Sequence, residues 1–494
     1  MAKKEKQFRP KARRPRGFED LSAEVLTAER DLVARAGAVY EAHGFGPLAT
    51  GAFEYADALG KFLPDEERPN EGVFALQDDD EQWMALRYDL TAPLARYVAE
   101  NFETLPKPFR RWQTGTVWRN EKPGPGRFRE FTQCDADTVG AAGPAADAEM
   151  ILLAVRVMQA VGLSAGDFVI RVNDRRLLDG VLEKAGVTDA GQKGRVLRSL
   201  DKLDKFGWDG VVQLLGEGRK DESGDYTEGA KLSPAQMDPI RALVESGKQE
   251  STAAAFTALE HAVAGSAQGE AAVKDMEAIA SLLGGLGLSE EWAFDTSVVR
   301  GLGYYTGPVF EAELLKTATY EDGAPIRFGS VGGGGRYDDL VARFTGQAVP
   351  ATGFSFGVSR FAAALRALAD DGGRAFSGPV VVLSLEAGQE GEYFAMAQEI
   401  RDRLGVPAEV YVGGGKNMGK QLKYADRRGA PVAVIMGGDE REAGQVTVKN
   451  LVLGAEIAAE AASREEWREQ KQQETVARND LTGAIARALG HTGA

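Results

Sequence analysis

The sequence predicts a multidomain protein, part α+β and part α/β, and three features carry that prediction. Its 494 residues exceed what one hydrophobic core usually organises. From Trp83 to Gly140, and again from Trp292 to Gly357, short β-rich runs alternate with turn signals, as in an antiparallel sheet. Beyond residue 379, strand-like and helix-like segments alternate as in β/α units.

Residues 1–16 form a basic tail, Lys3-Lys4-Glu5-Lys6 through Arg13-Arg14-Pro15-Arg16, for which a solvated arm outweighs a phosphate-binding one. From Leu21 to Glu41 apolar residues recur at helical spacing behind Ser22 as cap, and Gly44-Phe45-Gly46-Pro47 then punctuates the chain. The sheet-bearing unit takes in 17–175 and 291–366. Between its halves, 176–290 is rich in Leu, Ala, Lys, Glu and Asp at helical spacing and reads as a helical insertion. The small, polar stretch 367–378 reads as a linker. In 379–494, Val380-Val381-Val382-Leu383, Glu409-Val410-Tyr411-Val412 and Val432-Ala433-Val434-Ile435 read as strands of a mostly parallel sheet buried on both faces. No repeat of fixed period is present.

Hydrophobic residues at 43% and charged residues at 27% fit an ordinary globular chain. Cys134 is the single cysteine, so no internal disulfide forms, and with three histidines there is no Cys/His zinc cluster. These features, with no apolar run long enough to span a bilayer and no apolar core near the N-terminus, give a cytoplasmic, non-membrane expectation. A formal charge of −15 argues against a dedicated, sequence-independent nucleic-acid coat, yet leaves room for local cationic faces on an RNA-binding enzyme.

Gly414-x-x-x-x-Gly419-Lys420 matches most of a phosphate-binding loop, but Gln421 stands where a Ser or Thr hydroxyl would meet magnesium. That segment reads as a loop capping a helix. The densest polar segment runs from Arg119-Asn120-Glu121, through the turn Lys122-Pro123-Gly124-Pro125-Gly126, to Asp137. On its second strand Arg127, Arg129, Phe131, Gln133, Asp135 and Asp137 share one face by period two. Such a face is either a solvated surface of paired charges or the wall of a polar site. Two segments favour the site. Arg300-Gly301-Leu302-Gly303-Tyr304-Tyr305 sets an arginine beside paired tyrosines, and Gly332-Gly333-Gly334-Gly335-Arg336-Tyr337-Asp338 removes side chains where a ligand or another backbone comes close. Together they suit a small zwitterion.

These residues resemble the histidyl-tRNA synthetase family, over nearly the whole chain from about Pro15. Arg119 through Asp137 resembles motif 2 of the class II synthetases and Thr352 through Arg360 motif 3. Arg300–Tyr305 and Gly333–Asp338 resemble the two histidine-specific segments. Three segments depart from the family pattern: Arg87-Tyr88-Asp89 replaces the frequent Arg-Pro-Glu, Gly51 stands at the proline of motif 1, and Ser359 stands at the glutamate of motif 3.

The resemblance implies a class II catalytic domain built on an antiparallel sheet, an insertion that grips the acceptor arm, and a C-terminal α/β anticodon-binding domain with Lys416, Lys420 and Lys423 toward RNA. It implies ATP-dependent ligation of L-histidine to tRNA(His) through a histidyl-adenylate, with ATP and Mg2+ required and a homodimer as the assembly. Arg119, Arg300 and Arg360 are the implied catalytic cations, with Arg119, Glu121, Arg127 and Arg360 on ATP. Asp89, Thr91 and Gln133 are the implied ammonium ligands; Tyr304 or Tyr305 and Asp137 flank the imidazole, and Arg300 and Gly334 complete the histidine site. Magnesium is implied to bridge the phosphates with help from nearby carboxylates and water, no particular residue being assigned as its ligand; no protein residue is implied as general base, so the adenylate phosphate is expected to take the proton in the transfer step. The alternative is a non-catalytic synthetase-like regulatory subunit of histidine biosynthesis, which typically lacks the arginine at 300 or the anticodon domain.

Overall fold

A computed structural model describes residues 10–62, 72–123, 128–200, 202–220, 226–298, 305–319, 325–326, 328–368, 378–452 and 473–490. Two compact units, 1–373 and 374–494, divide the chain.

In the first unit, α1 (Ala23–Ala42) starts behind Ser22, whose Oγ accepts the Val25 N–H at 3.4 Å. The chain then turns through Gly44 at φ +80° into the edge strand β1 (Gly46–Pro47). A small antiparallel sheet of segments 53–55, 75–77 and 83–86 follows. Next comes α2 (Thr91–Glu100), a helix missing from the β-rich reading of 83–140. Its signal was local: Asp89 Oδ1 accepts the Thr91 and Ala92 N–H groups at 3.2 and 2.9 Å, and Pro93 sits in the first turn, where a missing donor costs little.

The other strands of the large sheet are β2 (Phe109–Trp118), β3 (Glu130–Val139), β4 (Phe168–Asp174), β5 (Trp292–Phe294), β6 (Pro308–Leu314), β7 (Gly329–Arg336) and β8 (Ala351–Gly357), with α3 (Pro144–Ala160) after β3 and α4 (Val358–Leu368) after β8. They form one eight-stranded sheet in the order β1-β2-β3-β8-β7-β6-β4-β5. The six inner strands pair antiparallel and each edge strand joins parallel. Alternation sends Cys134, Ala136, Phe354 and Phe356 to one face, where they meet Leu32 and Ala36 of α1, Met150 and Leu153 of α3, and Phe361 of α4 in a single core. Each Leu, Met and Phe among them contributes about 1.5–3 kcal/mol on full burial. The opposite face is thereby left to polar residues.

Between β4 and β5 lie helices Arg175–Lys184, Ala190–Leu200, Leu203–Leu215, Pro234–Ser246, Thr252–Val263 and Ala267–Gly285, as the helical composition predicts. Val181, Val273, Met276 and Ile279 enter the same core as Phe168 and Ile170, so the inserted helices pack as an extension of the sheet's apolar face.

The second unit contains β9 (Val380–Val382), α5 (Glu390–Leu404), β10 (Ala408–Val410), α6 (Met418–Arg427), β11 (Val432–Ile435), β12 (Gln445–Asn450), β13 (Gln473–Ala477) and α7 (Leu481–Ala488). The sheet order is β10-β9-β11-β12-β13. Pairings are parallel on both sides of β9 and antiparallel from β11 onward, so the sheet is mixed where a mostly parallel one is expected. The reason is chain length: residues 436–444 hold only the short helix Gly438–Glu442 and a turn at Gly444 (φ +64°), too little for a parallel crossover. At the loop resembling a phosphate site, Asn417 Oδ1 caps α6 by accepting the Lys420 N–H at 3.0 Å. Gln421 is buried, bonding Ser384 N and O at 2.8 Å each and Gly415 O at 3.0 Å. Its amide ties the helix to the end of β9, which is the capping role read from the sequence.

Candidate active site

The polar face of the large sheet is built by alternation on three neighbouring strands. Arg111 of β2, Asp137 of β3 and Gly353 of β8 are in register, as are Gln113, Asp135 and Ser355. Arg111 is 0% exposed, Asp135 and Asp137 are 2% exposed and Gln133 is 9% exposed, so this face is not a solvated one. Buried charge must be paired. Arg111 Nη2 lies 2.8 Å from Asp137 Oδ2 and donates to Leu90 O at 3.1 Å. The Tyr337 hydroxyl donates to Asp137 Oδ1. Gln133 Nε2 donates to Ser355 Oγ at 2.7 Å.

Burial pushes the Asp137 carboxyl above the usual range, against the pull of Arg111 and Tyr337. Burial likewise raises Asp135 to about 7, opposed by Arg111 and reinforced by Asp137. Asp89, at the start of α2, is raised by burial in spite of its two backbone donors and Arg119. Three carboxylates therefore share a small region with one fully buried guanidinium. Several such groups gathered on one polar face point to a site, although a buried structural pair such as Arg336–Asp147 is shifted in the same direction.

Gly353 makes room for this cluster: a Cβ there would lie 2.0 Å from Asp137 Oδ1. Gly353→Ala should therefore cost about 1–3 kcal/mol in urea unfolding, as overpacking does; unchanged stability would mean that Asp137 moves aside freely.

A second cluster stands where β2 ends. The Arg119 guanidinium lies over the Tyr88 ring at 4.3 Å and the Phe131 ring at 5.1 Å, and its Nε donates to Tyr88 O at 3.4 Å. Stacking on rings fixes the guanidinium plane and leaves its N–H donors pointing outward in that plane. The Tyr88 hydroxyl donates to Glu121 Oε1 at 3.1 Å, and Arg129 Nε donates to Glu121 O at 2.9 Å. Arg87 is structural: it donates to Thr116 O at 2.8 Å and to Thr50 O at 2.9 Å, and it reaches Gly51 O at 3.3 Å. Arg360, in the first turn of α4, is exposed and donates to Phe328 O at 2.7 Å. Ser359 Oγ accepts the Thr132 N–H at 3.4 Å on the helical side of the sheet.

The glycine-rich strand divides by register. Gly334 pairs with Phe354 and so sits on the apolar side; a Cβ there would be 2.0 Å from Gly353 O, which makes it a backbone-spacing residue. Gly333 and Gly335, paired with Ser355 and Gly353, are the ones on the polar face. Tyr305 packs on Gly335, its Cδ1 2.9 Å from where a Cβ would be. Arg336 turns away into a buried pair with Asp147 of α3 at 2.7 Å. The Arg-Tyr pair of this segment thus braces the site, Arg336 through α3 and Tyr337 through Asp137.

Of the residues named from sequence, Asp89, Thr91, Gln133, Asp137 and Tyr305 belong to this polar region, Arg119 and Glu121 to the aromatic cluster, and Arg360 to the start of α4. Arg127, Arg300 and Tyr304 lie outside the described residues. Sequence reasoning missed Arg111, Tyr337 and Ser355 as site members. Only period two along β2 and β8 could have placed Arg111 and Ser355 on the right face. Among the described residues no group of three or more His, Cys, Asp or Glu could hold a metal ion.

A family model described as histidyl-tRNA synthetase matches residues 17–361, and one described as anticodon binding domain matches 379–487. A histidine–tRNA ligase of Caulobacter vibrioides is 56% identical over 485 residues, 98% of each chain. One of Paracoccus denitrificans is 53% identical over 498 aligned positions, covering 99% of this chain and all of the other. The crystal structure of histidyl-tRNA synthetase from Nostoc sp. PCC 7120 matches with a TM-score of 0.72 at 27% identity, over 97% of this chain and 100% of that one.

Proposed function

The chain belongs to the histidyl-tRNA synthetase family, and from that premise we propose how its own residues divide the work of charging tRNA with histidine. That the enzyme joins histidine to tRNA at the expense of ATP follows from kinship of 52–56% over nearly its full length. The residue roles are the proposal, and the buried row Gln133–Asp135–Asp137 beside Arg111 is the observation that carries it.

In activation the histidine carboxylate attacks the α-phosphorus of ATP and pyrophosphate leaves. Two anions meet and charge grows on the phosphoryl oxygens, so fixed cations must face them. Arg119, its plane set by Tyr88 and Phe131, takes the α-phosphate bidentately. Arg360 takes the γ-phosphate, and Arg300 takes the α-phosphate and substrate carboxylate from the other side. Glu121 and Arg127 hold the nucleotide; Glu121 also anchors Tyr88 under Arg119. Magnesium would bridge the phosphates with help from nearby carboxylates and water.

The substrate ammonium is received by Gln133, Asp89 and Thr91. Tyr305 packs on Gly335, and Tyr304 or Tyr305 would flank the imidazole together with Asp137. Gly334 serves by bringing strands close. Asp137, already engaged by Arg111 and Tyr337, sets the field of the pocket. A site of this kind discriminates strongly, because a ligand that cannot complete its hydrogen bonds leaves buried groups unpaired. In transfer, the terminal ribose hydroxyl of tRNA attacks the adenylate carbonyl and the adenylate phosphate accepts the proton. Exposed Lys416, Lys420 and Lys423 at and before α6 face the anticodon arm. A cytoplasmic homodimer completes the proposal; analytical ultracentrifugation tests the dimer.

The first test is ATP–pyrophosphate exchange with each of the twenty amino acids. Exchange should require histidine and should fall about 10²-fold or more in Arg300→Ala, the scale of losing one preorganised donor. Exchange with another amino acid would overturn the pocket, and none with any would return the regulatory-subunit reading.

A further inference from the structure

The connection from β5 to β6 includes Arg300, and both of its ends stand on the last residues of β4 and the one after them. On the outgoing side the Asp295 N–H donates to Val172 O at 2.9 Å, and Asn173 Nδ2 donates to Val298 O at 3.0 Å and to Thr296 O at 3.4 Å. On the returning side the Arg175 N–H donates to Gly307 O at 3.0 Å, and Pro308 pairs with Asp174. The ties through Val172, Asp174 and Arg175 are main-chain ones, open to almost any residue. Those through Asn173 depend on its side chain.

Register puts that side chain on the polar face of the sheet. Arg111, Asp137, Gly353, Gly335, Val309 and Asn173 are successive partners across β2, β3, β8, β7, β6 and β4, and residues directly opposite one another share a face. Asn173 is 4% exposed, so its amide must find its partners within the protein. Its Oδ1 accepts the Asp174 N–H at 2.8 Å, which leaves the NH2 group for the two carbonyls. An amide alone among side chains of this size offers one acceptor and two donors in that arrangement. Aspartate would set a carboxylate against two carbonyl oxygens, and leucine would leave all three groups unmet. The inserted helices close on the same place from the other side: a Cβ on Gly247, which follows the helix Pro234–Ser246, would lie 2.5 Å from Thr296 Oγ1.

Resting on the role given above to Arg300, we infer that Asn173 is a positioning residue for activation: by holding the Thr296 and Val298 carbonyls it fixes the point from which the chain sets out toward Arg300, two residues further on. A guanidinium that meets charge growing on a phosphoryl oxygen must be held to within about 0.5 Å, and a displacement of about 1 Å can cost 10²-fold in rate. Asn173 touches neither substrate nor nucleotide in this assignment and acts through Arg300. It lies outside both segments that resemble histidine-specific motifs, in Arg171-Val172-Asn173-Asp174, where nothing in the sequence marks it.

The test is a double-mutant cycle on the full-length enzyme, with Asn173→Ala, Arg300→Ala and the two combined, read as histidine-dependent ATP–pyrophosphate exchange. Asn173→Ala should lower kcat by about 10- to 100-fold while KM for ATP stays within about threefold, the split expected when a group that acts in the transition state is misplaced. Asn173→Ser, which keeps one hydroxyl donor, should recover part of the rate. In the Arg300→Ala background the alanine at 173 should cost less than about threefold, because the group it positions is already gone. A loss under about threefold in Asn173→Ala alone, or an equal loss with and without Arg300, would overturn the assignment; the second is what a residue of the scaffold gives. Urea unfolding checks that the variants fold, and failure of both the alanine and the serine variant to fold would place Asn173 in the scaffold and overturn the assignment as well. An Arg300→Ala enzyme that exchanges as fast as wild type would instead strike the role proposed for Arg300, so the two failures are distinguishable.

Discussion

Arg119→Ala is expected to lower the rate of histidine-dependent ATP–pyrophosphate exchange by about 10²–10³-fold, the loss typical when a preorganised donor to a transition-state oxyanion is removed. The guanidinium is held by ring contacts at 4.3 and 5.1 Å and one backbone bond, so its position is set before substrate arrives. Electrostatic stabilisation of this kind costs no reorganisation during the reaction, and alanine removes it whole. The loss should fall on kcat more than on either KM, because charge on the α-phosphoryl oxygens grows only on the way to the transition state. Arg119→Lys should recover part of the rate, since an ammonium supplies charge without the bidentate fork. A loss under tenfold in the alanine variant would remove Arg119 from the reaction centre. The Tyr88 hydroxyl bound to Glu121 serves the same end from below the ring, so Tyr88→Leu should fall between lysine and alanine at 119.

How much of this was legible in the sequence depends on how far each feature reaches along the chain. Ser22, the alternation of Gln133, Asp135 and Asp137, and the glycines 332–335 are local patterns, and the fold uses them where the sequence places them. The burial of the polar face was not legible. A row of amide and carboxylate looks the same whether solvated or covered, and what covers it here comes from Arg111, Tyr337 and the segment before α2. Arg336–Asp147 and Tyr337–Asp137 join residues far apart in the chain, so the histidine-specific segment could be recognised without showing that its arginine braces a helix. The helix α2 was hidden for a different reason: a short amphipathic segment with a proline in its first turn gives few helical periods, and its cap, Asp89, is also an implied ammonium ligand.

Arg111 offers the sharpest test of the electrostatics, because it is the fully buried cation of a region that also holds Asp135, Asp137 and Asp89. Arg111→Met keeps most of the volume and deletes the charge. Removing one partner of a buried pair typically costs about 3–5 kcal/mol, since the other charge is left uncompensated. The direction with pH separates charge from packing. Arg111 is what pulls the Asp135 and Asp137 pKa values down, so without it both rise further above the unfolded value. An acid whose folded pKa is raised contributes stability that is present at low pH and lost as pH rises through that pKa. The variant should therefore lie closest to wild type in urea unfolding at pH 5 and furthest from it at pH 8. Equal destabilisation at both would mean that the methionine fails by shape alone. Asp137→Asn on the same background should restore more of the loss at pH 8 than at pH 5, since it removes a carboxylate whose ionisation burial disfavours. Histidine binding to the double variant should stay weak, because restoring neutrality to the cluster does not restore the guanidinium that pairs with Asp137.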